Sequence, residues 1–176
     1  MRKHCDHRFL KGAIAGMVGG FVGSWAMNKF QSGVSTAAKA WEKSAHRPEL
    51  KSESQGSGDS AATTVLAQRI SLSVLRRTLT HDELKVAEPL VHYAFGTLAG
   101  GFYGLLAELT PLARKGAGCA YGTAVWLGGD EIAVPMLELS KGPDQYPLSS
   151  HAEALASHWA YGLTLEGVRR GVRAML

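Results

Sequence analysis

The sequence predicts an all-α fold, an integral membrane bundle of four transmembrane helices that pack through rows of glycine. Three observations support this prediction. Four stretches are apolar at close to the length of about 20 residues that a helix needs to cross a bilayer. The chain holds 21 glycines among 176 residues, many of them four residues apart. Ionisable side chains also lie inside the apolar stretches, at similar depths.

The predicted spans belong to a single membrane domain, 1–176, and are separated by loops of unequal length. The spans cover residues 9–28, 87–109, 116–137 and 150–168. The first follows a basic N-terminus, so a secretory signal with a small-x-small site at Ser24 and Ala26 is an alternative. Three further apolar stretches would still need a membrane, and we therefore favour an anchored first helix.

The polar loop at 29–85 separates the first two spans and carries two amphipathic helical patterns. Apolar residues at helical spacing form one stripe near Phe30 and Trp41 and another from Val65 to Leu75, the second with arginines alongside. Such helices suit a membrane interface. Between them, residues 52–60 are rich in serine and glycine, which predicts a flexible linker.

Local signals set the helix boundaries. Thr80 and Glu83 have the spacing of a capping box, which predicts that a helix begins before the second span. Thr110 and Pro111 are expected to end it. The third span is expected to open at Gly116, and Ser149 or Ser150 is expected to cap the last helix.

Glycines recur at four-residue spacing in three of the apolar stretches. Glycine costs a water-exposed helix roughly 1 kcal/mol relative to alanine, whereas in lipid small residues at this spacing let two helix backbones touch. The sequence therefore predicts close helix pairs. The predicted packing residues are Gly12, Gly16, Gly20, Gly96, Gly100, Gly104, Gly118, Gly122 and Gly162.

The basic residues favour an orientation with both termini in the cytoplasm. In this orientation the inside residues lie in short segments beside spans, which the positive-inside rule weights most. These residues are Arg2, Lys3, Arg8, Lys11, Arg114, Lys115, Arg169, Arg170 and Arg173.

With that orientation, ionisable side chains fall into two layers. The outer layer is a predicted polar centre formed by His92, Asp130, Glu131 and His158. The inner layer consists of Glu108, Glu166, Arg169 and Arg170. A charged side chain costs about 2.5 to 3.5 kcal/mol at mid-bilayer on insertion scales, so we expect the members of each layer to meet.

Three interpretations of the polar centre remain open. The first is interhelical hydrogen bonding that fixes the packing. The second is a proton or ion site, because carboxylates beside imidazoles shift each other's pKa values. The third is a divalent metal site, since the ligand types are suitable, although no HExxH or CxxC spacing supports it. We predict no bound metal and no cofactor.

Catalysis and nucleic-acid binding find little support in the sequence. It contains no nucleophile elbow, phosphate loop or dinucleotide fingerprint, so we expect no enzymatic activity. The net charge of +4 is ordinary and the basic residues form no single stripe. The expected partners are the lipid bilayer and transmembrane helices, either of a second copy or of other membrane subunits, and not nucleic acid.

From His92 to Arg170 the chain resembles the YagU-like family of bacterial inner-membrane proteins of unknown function. The resemblance rests on His92-x-x-Phe-Gly96-x-x-x-Gly100-x-x-Tyr-Gly104-x-x-x-Glu108, on Trp126-x-x-x-Asp130-Glu131-x-x-x-Pro135, and on His158-x-x-Tyr-Gly162-x-x-x-Glu166-x-x-Arg169-Arg170. It implies a small multi-pass inner-membrane protein, loosely associated with acid tolerance. We therefore expect a structural or accessory membrane protein, with proton or ion handling at the polar centre as the alternative.

Overall fold

The computed structural model describes residues 2–44 and 56–176, and within these ranges it contains helices, turns and no strand. The α-helices are α1 (Arg2–Ser44), α2 (Gly56–Val74), α3 (His81–Leu109), α4 (Cys119–Val125), α5 (Val134–Met136) and α6 (Leu148–Met175). A π-helical segment, Trp126–Ala133, joins α4 to α5, and 3-10 turns cover Pro111–Gly118 and Pro143–Gln145. The predicted all-α class is therefore confirmed.

Helix α1 is much longer than the first predicted span. It contains 43 residues, which corresponds to about 65 Å at 1.5 Å per residue. Residues 29–44, predicted as part of the polar loop, continue the same helix, in agreement with the helical spacing of the apolar residues near Phe30 and Trp41. Of the predicted linker, residues 52–55 lie outside the described residues and residues 56–60 begin α2.

The capping box at the start of α3 is confirmed. The backbone N–H of Glu83 donates to Oγ1 of Thr80 at 3.4 Å, and the backbone N–H of Thr80 donates to the Glu83 carboxylate at 2.8 Å. The helix ends at Leu109, as Thr110 and Pro111 predict. Arg77 also donates to the Glu83 carboxylate at 2.6 Å, so this helix start is fixed from outside the helix as well.

The third predicted span begins and continues differently from the prediction. Gly116, Ala117 and Gly118 have positive φ angles of 70°, 51° and 95°, a left-handed conformation that a right-handed helix cannot include. Regular helix therefore begins at Cys119 and not at Gly116, and it widens into the π-helical segment. The predicted cap of the last helix was wrong too, because α6 begins at Leu148 after Pro147 and no side chain caps it.

The helices alternate in direction. Gly12 of α1 lies against Gly104 of α3 while Gly20 lies against Gly96, so α1 and α3 are antiparallel. Gly118 lies against Gly162 while Gly122 lies against His158, so α4 and α6 are also antiparallel. The start of α1 and the end of α6 consequently lie at the same end of the bundle as the turn at Pro111–Gly118. At the opposite end α2 packs on α3, where the Thr64 hydroxyl donates to the Glu88 carboxylate.

Two of the described helices are long and apolar enough to cross a membrane. They are the part of α1 from His7 to Trp41 and the whole of α3, His81–Leu109. These helices contain the first two predicted spans. The third predicted span is divided among α4, the π-helical segment and α5, and the fourth lies within α6, so a four-span bundle stays a prediction.

Candidate functional site

Glycines of α1 and α3 face each other along the contact between the two helices. A Cβ atom added at Gly16 would lie 2.8 Å from the Cα of Gly104, and one added at Gly100 would lie 2.6 Å from the Cα of Gly20. Real Cβ atoms do not come this close to backbone, so this contact has no space for even an alanine. The two predicted rows, Gly12, Gly16, Gly20 and Gly96, Gly100, Gly104, line this contact.

A second glycine contact joins α6 to its neighbours. A Cβ atom added at Gly118 would lie 2.6 Å from the carbonyl carbon of Gly162. One added at Gly122 would lie 2.9 Å from the carbonyl carbon of His158. On α1, Gly19 and Gly23 meet α6, although sequence reasoning did not single them out. Gly19 directly precedes Gly20, and adjacent residues on a helix point about 100° apart, so Gly19 and Gly23 form a second face of the same helix.

The inner layer contains a buried ion cluster centred on Glu166. Arg169 donates to its carboxylate at 2.6 and 3.1 Å, and Arg170 donates at 2.6 Å. Tyr103 of α3, which the sequence did not identify, donates to the same carboxylate at 2.9 Å. Glu166 is 1% exposed and Arg169 is 4% exposed. The cluster therefore satisfies a buried charge with partners from two helices.

Glu108 forms a separate centre at the same end of the bundle. Nε of Arg173 lies 2.7 Å from its carboxylate and Nε of Arg8 lies 3.5 Å away. Arg8 also donates to the backbone carbonyl of Glu108 at 2.6 Å. The structure thus ties α1, α3 and α6 together through Glu108, and it divides the predicted inner layer into two clusters. The sequence predicts Arg8 and Arg173 only as basic residues on the cytoplasmic side, without a carboxylate partner.

The predicted polar centre also divides into pairs. Nε2 of His158 lies 3.6 Å from the Asp130 carboxylate, so these two predicted partners meet. Glu131 instead lies 2.6 Å from Nδ1 of His151, a residue that sequence reasoning did not select. Adjacent residues on a helix point about 100° apart, so Asp130 and Glu131 reach different histidines. His151 and His158 are two turns apart on one face of α6.

His92 is the fourth member of the predicted centre and makes neither of these pairs. Its Nε2 atom is buried and has no hydrogen-bond partner among the residues that the structure describes. It lines a partly open cavity of about 190 Å³, together with Asp130 and His158. The three side chains therefore surround one space, although His92 is not hydrogen bonded to the other two.

The acidic side chains of the predicted polar centre each pair with a histidine of α6. Within the described ranges, no group of three or more His, Cys, Asp or Glu side chains is placed to hold a metal ion. The acidic partners of both pairs lie on the π-helical segment Trp126–Ala133. Segments of this kind occur frequently at functional sites.

The distribution of apolar side chains is inverted relative to a water-soluble bundle. The buried hydrophobic cluster of the described residues consists of Met27, Tyr103, Tyr161 and Leu165, with Tyr121 packed against it. Large apolar side chains instead cover the outside of the helices. On α1 and α3 these include Leu10, Ile14, Val18, Phe21, Trp25, Leu90, Phe95, Leu98 and Phe102.

These features define an all-helical protein with glycine-lined helix contacts, buried ion pairs and two helices long and apolar enough to cross a membrane. Residues 35–167 match the family described as protein of unknown function (DUF1440), and the chain belongs to that family. Comparison with curated proteins and with solved structures gave no match.

Proposed function

We propose that this protein is a multi-pass integral protein of the bacterial inner membrane with a structural or accessory role. The proposed protein is similar to the YagU-like proteins. Four of its helical segments cross the bilayer, and both of its termini are cytoplasmic. Its partners are lipid and the transmembrane helices of a second copy or of other membrane subunits. The observation that carries the proposal is the inverted distribution of apolar side chains.

The free-energy balance supports lipid as the surroundings of this bundle. Apolar surface gains roughly 25 cal/mol per Å² when it leaves water, and soluble monomers rarely expose large contiguous apolar patches. Here the exposed stripe of α1 runs from Leu10 to Trp25. Only 39% and 33% of the most apolar windows of α1 and α3 are buried, whereas a core helix of a soluble protein is mostly buried.

The interior supports a packing role for the polar and small residues. Glycine contacts hold backbones together where side chains have no room. The ion pairs at Glu108 and Glu166 link helices or neutralise a buried charge. The glycine contacts and the ion pairs hold the helices in fixed positions relative to one another. A scaffold or an accessory subunit needs such an interior.

Alkaline extraction tests membrane insertion directly. Membranes from cells that produce the full chain are washed at high pH, and the protein is expected to remain in the pellet until detergent is added. A peripheral protein of the same cells serves as the control and should be released. Appearance of the chain in the alkaline supernatant would contradict the proposal.

Proton or ion handling is the second candidate, and the two acid–imidazole pairs on the π-helical segment favour it. If the pairs exchange protons, Asp130→Asn and His158→Gln should abolish a pH-dependent flux in proteoliposomes while the folded yield is unchanged. If they are architectural, the same changes should lower the folded yield. Asp144→Asn, at an exposed loop position, is the matched control.

A further inference from the structure

One cavity of the bundle lies beside the Asp130–His158 pair. It is bounded by α1, α2, α3, the π-helical segment and α6, and its volume is about 190 Å³. Met27 and Leu139 are buried residues in its wall. The cavity therefore reaches into the interior of the bundle.

The surface of this cavity is almost entirely apolar. His92, Asp130 and His158 contribute to the wall, yet the polar Nε2 atom of His92 is buried away from the open space. An apolar cavity of roughly 150 Å³ stays dry and binds hydrocarbon rings in a well-studied soluble protein. A space of this size and lining is thus suited to a hydrocarbon group and not to an ion or a polar metabolite.

The cavity is not closed on all sides. Phe95 and Leu137 belong to its wall and are 57% and 56% exposed, so they are also part of the accessible surface of the bundle. The opening consequently adjoins apolar outer surface. A ligand that enters there comes from the apolar surroundings of the bundle.

We propose that this cavity binds the end of an acyl chain of a membrane lipid. The inference rests on the proposed membrane insertion, since that insertion brings acyl chains to the opening. A bound chain fills the apolar space, and it also keeps water away from the Asp130–His158 pair in the cavity wall. The contact between these two side chains is then held in a dry environment, where polar interactions are stronger.

Gly129 offers a way to fill the cavity without disturbing the backbone. It belongs to the cavity wall, and a Cβ atom added there meets nothing within 4 Å. Gly128 has the same open space but is not part of the wall. Gly129→Leu is therefore the filling variant, Gly128→Leu is its matched control, and Ala133→Leu at another wall position is a second filling variant.

The experiment uses the full chain in phosphatidylcholine vesicles that contain a phospholipid with a diazirine at the end of one acyl chain. After irradiation, mass spectrometry locates the modified residues. We expect labelling at Met27 and Leu139, which are buried, and at Leu98, which is exposed and outside the cavity. Gly129→Leu should reduce labelling of Met27 and Leu139 at least fivefold and leave Leu98 unchanged, whereas Gly128→Leu should change none of them.

The possible outcomes separate this inference from the proposed function. Labelling at Leu98 alone, or labelling of Met27 that neither Gly129→Leu nor Ala133→Leu reduces, would overturn the acyl-chain site while membrane insertion stands. Absence of labelling even at Leu98, together with release at alkaline pH, would overturn both.

Discussion

The guanidinium of Arg169 lies 2.6 Å from the carboxylate of Glu166, one turn away on the same helix, and both side chains are almost completely buried. Arg170 contacts the same carboxylate at the same distance, yet its side chain is 59% exposed. One acidic group thus has a buried partner and a solvated partner, which allows the two kinds of ion pair to be compared directly.

Arg169→Gln is expected to lower the free energy of unfolding by about 3–5 kcal/mol, because it removes the buried cation from the Glu166 carboxylate and leaves only Arg170 and Tyr103 to stabilise the buried charge. Arg170→Gln is expected to cost about 1 kcal/mol or less, since exposed pairs contribute little. Reversible unfolding by SDS in mixed micelles measures both values. An equal decrease in the free energy of unfolding for both variants would contradict the difference in burial between Arg169 and Arg170.

Gly100→Ala is expected to destabilise the contact between α1 and α3 by about 1–3 kcal/mol, the usual cost of overpacking. The added methyl group would lie 2.6 Å from the Cα of Gly20, where no flexible side chain can move aside. Gly100→Leu should reduce the yield of folded protein further. Thermal unfolding in detergent and the monodisperse yield measure the effect, and Gly128→Ala, with open space at its Cβ, should show no loss.

The start of α3 should depend on pH through Glu83, which precedes the apolar part of this helix. Hydrogen bonds from Arg77 and from the Thr80 backbone hold the pKa of Glu83 at about 2. Because this value is below the ordinary pKa of about 4.3, the ionised carboxylate stabilises the folded helix start above pH 4.3. That contribution is lost as the pH falls toward 2.

Hydrogen exchange at the first turn of α3 measures this dependence. Glu83→Gln should weaken amide protection at pH 6, and the difference from the unsubstituted chain should shrink as the pH approaches 2. Asp82→Asn, which affects an exposed pair with Lys85, should have a smaller effect. A constant difference across the pH range would rule out the carboxylate as its source.

The alternating helix directions predict a topology that labelling can test. Ala117 lies in the turn at the end of the bundle that holds the start of α1 and the end of α6, and Lys141 lies in the loop at the opposite end. With Cys5 and Cys119 replaced by serine, single cysteines at Ala117 and Lys141 should react with an impermeant maleimide from opposite sides of the membrane. Labelling of both positions from one side would exclude a crossing by the segment between them.

Much of the helical framework could be predicted because its signals are local. The capping box at Thr80 and the stop at Pro111 each act within one helical turn, so the sequence alone identifies the ends of α3. The predicted length of α1 was too short because a run of apolar residues shows where a helix can cross a membrane and not where the helix ends. Leu148 was missed as the start of α6 because extended backbone at Pro147 replaces a side-chain cap there.

The polar pairs were predicted less well because depth in a span does not give the angle around a helix. Asp130 and Glu131 lie at one depth but point to different histidines, and the π-helical segment changes the angle further. Arg8 and Arg173 were not expected to pair with Glu108 because their side chains come from helices whose relative positions were unknown. The glycine rows could be identified from spacing alone, whereas which row faces which depends on the order of the helices around the bundle.

The length of α1 has a mechanical consequence. After Asn28 none of the described side chains of α1 is buried, and Trp41 near the end of the helix is 75% exposed. A helix that continues from a packed segment needs no new nucleation. Residues 29–44 therefore form a stiff arm of about 24 Å, and anything that docks at Trp41 is held at a set distance and bearing from the other helices.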